Sequence, residues 1–353
     1  MLYIVIALAL FGLLVAIHEL GHFLTAKLFG VRVNEFAIGM GPALLSRKWG
    51  ETLYSLRLLP LGGYCAMEGE DEDSQDPRAF GAKPAWQRII VLAAGSFMNF
   101  LAGILLILLI NSQAQAYGGT QIAAFMDGFE LTGEHGLMVG DRVISINDER
   151  IRLSSDVTMF LSRAGGAPVD IVVERDGQRV LLEQLPLALK EYEVEGQKAL
   201  RYGIYFDVEK ATVPVILRNS WYQALNFLRL VRISLADLFS GQAGIKDLSG
   251  PIGVVDTMAQ VGAQAQSVTV ALSNILYFAA LLAVNLAAMN MLPLPALDGG
   301  RVFFIAVNGL WYLVTRRHIP AKFEGYIHLA GLVMLLLLMV VVAYNDIVRI
   351  LTR

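Results

Sequence analysis

Residues 18–22 of this chain read His18-Glu19-Leu20-Gly21-His22. Positions four apart share one face of a helix, so both imidazoles can reach a common divalent ion. Glu19 then stands beside any water that such an ion holds, and its carboxylate can take a proton from that water. The setting is what sets the motif apart. The run Leu2–Leu28 is apolar and carries no other charged side chain before Lys27. A charged side chain at the centre of a span costs roughly 2.5–3.5 kcal/mol on insertion scales, and ionisable groups there usually mark function. Catalytic zinc takes three protein ligands and keeps one position open, so two histidines leave one ligand to be found. Asp298 is the strongest candidate, in Asn290-Met291-Leu292-Pro293-Leu294-Pro295-Ala296-Leu297-Asp298-Gly299-Gly300. It follows a later apolar run, and its prolines break the helix. Non-helical backbone at that depth must be buried in protein or line a wet cavity.

The elements that position these residues follow from composition. Of 353 residues, 56% are hydrophobic and only 17% charged, too apolar for an ordinary soluble protein. A net charge of −3 gives nucleic acid nothing to bind. The single cysteine, Cys65, excludes an internal disulfide and reads as a small buried hydrophobe rather than a ligand. Four membrane helices are expected, over Leu2–Leu28, Ile89–Ile110, Ala271–Met291 and about Tyr326–Tyr344. The first lacks a basic leader region and reads as a retained span, not a signal peptide. The third carries Asn274, Asn285 and Asn290, expected to face a bundle interior. Basic residues gather in Lys27–Arg88 and again at Arg301, Arg316, Arg317 and Lys322. The charge rule puts both stretches in the cytoplasm and leaves the N-terminus and 111–270 outside.

The long segment between the second and third spans reads as a soluble insert, residues 116–208. Strand-like runs at Val169–Glu174 and Val180–Leu185 flank the turn Arg175-Asp176-Gly177-Gln178. Gly140-Asp141 leads into the alternating run Arg142–Asn147, and a helix is expected near Ser155–Ser162. This pattern resembles a PDZ domain; any other small α+β domain is the alternative. Residues 209–270 hold Trp221, Ala224, Leu225, Leu228, Val231, Leu235, Leu238 and Phe239 at helical spacing. Such a helix could lie on the membrane surface, which Trp221, Arg229 and Arg232 favour, or pack beneath the insert.

Taken together, His18-Glu19-Leu20-Gly21-His22 near one end and Asn290…Pro293…Pro295…Leu297-Asp298-Gly299 near the other resemble the site-2 protease family of intramembrane metalloproteases. The bacterial branch with an inserted PDZ domain is the nearest in pattern. Pro60-Leu61-Gly62-Gly63-Tyr64, Ala94-Gly95-Ser96-Phe97-Met98-Asn99-Phe100 and Leu248-Ser249-Gly250-Pro251-Ile252-Gly253 support the likeness, which covers nearly the whole chain. Two features depart from it: Ser96 stands where the family commonly has proline, and one PDZ-like segment replaces the tandem pair of some relatives. The resemblance implies an α-helical polytopic membrane protein of about four transmembrane helices, with a membrane-associated β-loop and one inserted α+β PDZ domain. Its parts would be 1–115 (two spans and the β-loop), 116–208, 209–270, and 271–353 (two spans). It implies Zn2+ held by His18, His22 and Asp298, with Glu19 as general base. Asn290 would bind substrate backbone or, equally, satisfy carbonyls of the broken helix.

The implied substrates are single-span membrane proteins, anti-sigma factors or remnant signal peptides, reached after a site-1 type protease has trimmed them. The implied location is the inner (plasma) membrane, with the N-terminus and the insert outside and the site toward the cytoplasmic side. Thr52-Leu53-Tyr54-Ser55-Leu56-Arg57-Leu58 falls in the family's β-loop. A substrate could unwind by adding as a strand there, which makes Tyr54, Leu56 and Leu58 candidate contacts. His328 in the fourth span is either a spare ligand or a hydrogen-bond donor to a neighbouring helix; His135 reads as an insert loop residue and His318 as part of a basic patch. Glu35 and Glu51 are expected to be solvated. A vestigial adaptor and a metal transporter remain as other classes, and the presence of Glu19 argues against both.

Overall fold

The computed structural model describes the chain except for Met1, 71–73, 195–196, 245, 247, 318, 320 and 353, and describes backbone alone at 60, 61, 251, 321, 322 and 324. His318 and part of the acidic run after Met67 therefore lie outside the described residues. In chain order come α1 (Leu2–Leu28), β1 (Val33–Trp49), β2 (Thr52–Met67) and α2 (Ala85–Asn111). Next are β3 (Ala116–Phe125), β4 (Arg142–Ile146), β5 (Glu149–Arg150), α3 (Ser154–Ala164), β6 (Val169–Arg175) and β7 (Gln178–Leu185). Then follow β8 (Lys190–Val194), β9 (Gln197–Arg201), β10 (Ile204–Lys210), α4 (Val213–Ser240) and α5 (Pro251–Ala263). The chain finishes with α6 (Val268–Asn290), α7 (Asp298–Thr315) and α8 (Ala321–Leu351). Among the described residues four helices are long and apolar enough to cross a bilayer: α1, α2, α6 and the Gly325–Leu351 part of α8. Mixed helix and strand on four apolar spans is the architecture of a multi-pass membrane protein.

The chain divides into two units, residues 1–110 with 224–353, and residues 111–223. In the first, α1 and α2 cross at glycines. A Cβ on Gly21 would lie 2.4 Å from the Ala94 carbonyl oxygen, so only a bare backbone fits at the crossing. Below it Ala26, Val31, Val33, Cys65, Met67, Phe80, Val91, Leu92 and Ile305 make one apolar core. A second joins Ala7 and Leu14 of α1 to Met258 of α5 and to Ile275, Ala279, Leu282 and Ala283 of α6. Asp346 of α8, buried, accepts hydrogen bonds from the Gly250 and Gly253 amides and so caps the first turn of α5.

Two of the expected placements change here. The face of α4 carrying Ala224 and Phe227 packs on Ile107 of α2 and on Ala280 and Val284 of α6, so it meets the chain's own helices rather than lipid headgroups. Arg229 on the same helix is buried, which a surface-lying helix would not do with its charge. Asn274 is exposed and Asn285 half-buried; of the three asparagines of α6, Asn290 alone reaches the site.

β1 and β2 are longer than the alternation suggests, and they curl. Gly39, Gly41 and Gly62 have φ near +84 to +93°, a region open chiefly to glycine, and bend each strand sharply. The hairpin thus becomes four short strands. Residues 35–38 face 63–66 on one side and 53–56 on the other, and 54–57 also face 43–47. Tyr54 and Leu56 are therefore interior to this sheet with strand partners on both sides. Among the described residues the outer side of 63–66 has none. Glu35 and Glu51 are not simply solvated. Glu35 accepts from Ser55 Oγ at 2.6 Å and from the Arg57 guanidinium at 2.7 Å. Partial burial opposes ionisation of Glu35, but Ser55, Arg57 and Tyr64 outweigh it and hold the carboxyl below its usual range. Lys27 and Arg78 do the same for Glu51, each at 2.7 Å.

The second unit is built on a six-stranded sheet ordered β10-β3-β4-β6-β7, with β5 beside β4. Asp176 and Gly177 both take positive φ, the conformation of a two-residue hairpin turn, and join β6 to β7 at the expected place. Asp141, after the Gly140 turn, is buried and paired with Arg175 at 2.8 Å. The helix α3 covers the stretch expected near Ser155–Ser162.

Candidate metal centre

His18 and His22 sit one turn apart on α1, both buried, with their Nε2 atoms 3.2 Å from each other. The carboxylate of Asp298 closes the triangle. Its Oδ2 lies 3.2 Å from His18 Nε2 and 3.3 Å from His22 Nε2. Metal–ligand bonds of about 2.0–2.1 Å in tetrahedral geometry place neighbouring ligand atoms roughly 3.3 Å apart. The triangle has the dimensions of one face of such a tetrahedron. Asp298 Oδ2 is buried and receives no hydrogen bond. Three side chains that can each offer a lone pair converge at ligand spacing, so the residues fit zinc. Among the described residues this is the one set of three His, Cys, Asp or Glu side chains that converges in this way.

Each ligand is held from behind. His22 Nδ1–H donates to the Val91 carbonyl of α2 at 2.8 Å, which fixes the tautomer and leaves Nε2 its lone pair. Gly95 lets the two rings lie against α2; a Cβ there would stand 2.4 Å from His22 Nε2 and 2.7 Å from His18 Cε1. Asp298 occupies the first turn of α7, where the helix dipole favours a negative charge. The loop before it is tightly folded. A Cβ on Gly299 would meet the Met291 carbonyl at 2.3 Å, and one on Gly300 the Leu294 oxygen at 2.1 Å. Ala296 is left-handed (φ 69°), and its amide donates to His328 Nδ1 at 3.0 Å. His328 is thus neither a spare ligand nor a donor at that nitrogen, but an acceptor by which α8 grips the loop.

Glu19, half-buried, accepts a hydrogen bond from the Cys65 backbone and feels the charges of His18, His22 and Asp298. Gly63 passes beside it, with a built Cβ 3.3 Å from Glu19 Cγ. The 63–66 strand thus lies alongside the motif helix, whereas Tyr54, Leu56 and Leu58 are not among the residues brought to it. Asn290 reaches the centre, with Nδ2 3.3 Å from His18 Nε2. Burial pushes the Cys65 thiol up, away from a ligating thiolate. Asn99, noted in the sequence only as part of the Ala94–Phe100 stretch, lies at the site with Nδ2 3.4 Å from His18 Nδ1. Arg301, three residues after Asp298, pairs with Glu70 and ties α7 to the segment after β2.

The dependence on Gly95 is a direct test. Alanine in place of a helical glycine ordinarily gains roughly 1 kcal/mol. Here Gly95→Ala is expected to lower zinc affinity at least tenfold while leaving the helices folded, read by chelator competition alongside circular dichroism.

A zinc-type centre on apolar helices with a carboxylate beside it defines a membrane-embedded metalloprotease class, and the comparisons agree. The model of Peptidase family M50 matches residues 6–338. A protein bearing the name zinc metalloprotease from Clostridium perfringens is 34% identical over 348 residues, covering 98% of this chain and 99% of its own. One of the same description from Fusobacterium nucleatum is 32% identical, with 97% of each chain covered. The regulator of sigma-W protease RasP of Bacillus subtilis is 30% identical over 96% of this chain and 97% of its own. The chain belongs to Peptidase family M50, the site-2 proteases, and is a zinc metalloprotease.

Proposed function

We propose that this protein is an intramembrane endopeptidase that cuts single-span membrane proteins within or near the bilayer, after a site-1 type protease has removed their outer part. The observation that carries the reading is the convergence of His18, His22 and Asp298 on 3.2–3.3 Å edges in a chain whose two histidines lie within one spanning helix and whose Asp298 follows another. These three residues would hold the zinc. When bound, zinc polarises a carbonyl and brings the pKa of a water toward about 7. Glu19 would take a proton from a water at the site and return it to the departing amine. Asn290, beside His18, donates its amide to the substrate backbone. The name of the B. subtilis relative ties it to sigma-factor control, which supports substrates of the anti-sigma-factor type; remnant signal peptides have the same single-span chemistry.

A helical substrate hides its peptide groups in internal hydrogen bonds, so it must be unwound before it is cut. Addition to the outer side of 63–66, next to Glu19, does this and lays one carbonyl over the centre. That edge replaces Tyr54–Leu58 as the docking strand. The distribution of Lys and Arg supports an inner (plasma) membrane topology with the N-terminus and 111–270 outside and the site toward the cytoplasm. The Gly140-Asp141 turn, the β6–β7 hairpin and α3 support a PDZ-type insert, acting as a size filter or as a reader of a newly exposed carboxyl end.

Reconstitution in liposomes with a pre-trimmed single-span substrate tests the reading. Cleavage should map inside or within a few residues of the apolar segment, stop on chelation and return with zinc; cuts confined to the soluble flanks would refute it. Tyr64→Pro should lower kcat/KM at least tenfold with zinc retained, while Leu45→Pro on the far edge stays near wild type. The reverse ranking moves the substrate to the other edge.

A further inference from the structure

The two ligand histidines are supported differently. His22 has a backbone carbonyl at its Nδ1. At His18 Nδ1 the polar neighbour, among the described residues, is the side-chain amide of Asn99, with Nδ2 at 3.4 Å. Asn99 is 1% exposed, and its Oδ1 is buried without a hydrogen bond. His18 uses Nε2 toward His22 and Asp298, so its ligating tautomer carries the proton on Nδ1. A donor nitrogen would then face a donor nitrogen, while the acceptor oxygen of the same carboxamide goes unused. A half-turn of the carboxamide removes both faults, because its two ends occupy nearly the same space. Ser96, three residues earlier on α2, is a second buried polar group without a partner.

We propose that Asn99 is a positioning residue for the metal centre: its Oδ1 accepts the Nδ1 proton of His18 and so fixes the tautomer and ring plane that aim Nε2 at the ion. Partners of this kind raise ligand basicity, and their loss typically costs 10–100-fold in metal affinity or activity. The inference rests on His18 being a ligand, as proposed above. Asn99 lies on α2, four residues after Gly95, so one helix face supplies both the space for the rings and the acceptor for one of them.

The experiment is metal binding by the purified full chain in detergent, apo protein titrated with Co2+ for the ligand-field bands and with Zn2+ against a chelator. Asn99→Ala should bind 10–100-fold more weakly with shifted Co2+ bands, and Asn99→Asp, which can only accept, should restore wild-type affinity and spectrum. Wild-type binding by Asn99→Ala overturns the proposal. So does equal loss in a folded Asn99→Asp, since a role in packing alone would not distinguish the two. If Asn99→Ala does not fold, Asn99→Asp carries the decision by itself. His18→Ala separates the two levels: if it binds metal like wild type, the ligand set is wrong; if it loses metal while Asn99→Ala does not, only the role of Asn99 fails.

Discussion

Glu19→Gln is expected to reduce cleavage of a single-span substrate by about 10²–10⁴-fold, the usual contribution of a general base, while the protein retains stoichiometric zinc. The substitution is nearly isosteric, so the amide can occupy the same half-buried position beside Cys65 and Gly63. It cannot accept a proton from water. The three ligand atoms are untouched, and the apolar cores on either side of α1 contain none of the Glu19 side chain. Activity and metal content should therefore separate cleanly. Metal analysis and a gel-based assay on the same sample read both. Unchanged cleavage would remove Glu19 from the chemistry and favour an adaptor; loss of metal together with cleavage would make Glu19 a support of the centre and not its base.

The ligand residues were legible in the sequence for a local reason and a chemical one. An i, i+4 pair of histidines has only one sensible use inside an apolar run, and the proline-broken Asp298 segment is the other place where polar backbone must be sheltered. The four spans were legible because hydropathy is additive along a helix. The β-loop was not, because its curl depends on glycines at positive φ, whose effect appears only when Gly39, Gly41 and Gly62 are taken together. Hence Tyr54–Leu58 looked like a half-exposed strand, although 53–56 is enclosed by 35–38 and 43–47. Glu35 looked solvated for the same reason: Ser55 and Arg57 reach it only through that register. The supporting contacts were only partly legible. Asn99 falls in the Ala94–Phe100 stretch and His328 stands out as an ionisable group in a span, but neither spacing nor neighbours in the chain connect them to His18 or to Ala296.

Asp298→Asn is expected to bring zinc content at sub-stoichiometric free metal down by more than tenfold and cleavage to background. The backbone that sets this position is fixed independently of the side chain. Gly299 and Gly300 are pressed against Met291 and Leu294, Ala296 is gripped by His328, and Gly331 of α8 packs on Pro295 with no space for a Cβ. Asparagine therefore presents an oxygen at the same place and removes only the charge. Two neutral imidazoles with a carboxylate leave one net positive charge on a bound divalent ion; with the amide the full two remain, in surroundings too dry to screen them. A mostly structural Asp298 would show the opposite pattern. Its amide would keep the metal and lose stability, because a neutral side chain weakens the pairing of this position with His18 and His22 in the apo protein. Thermal unfolding of the two apo proteins, measured beside chelator competition, distinguishes these outcomes: similar melting with weakened zinc is the expected result, and retained zinc at wild-type affinity removes Asp298 from the ligand set.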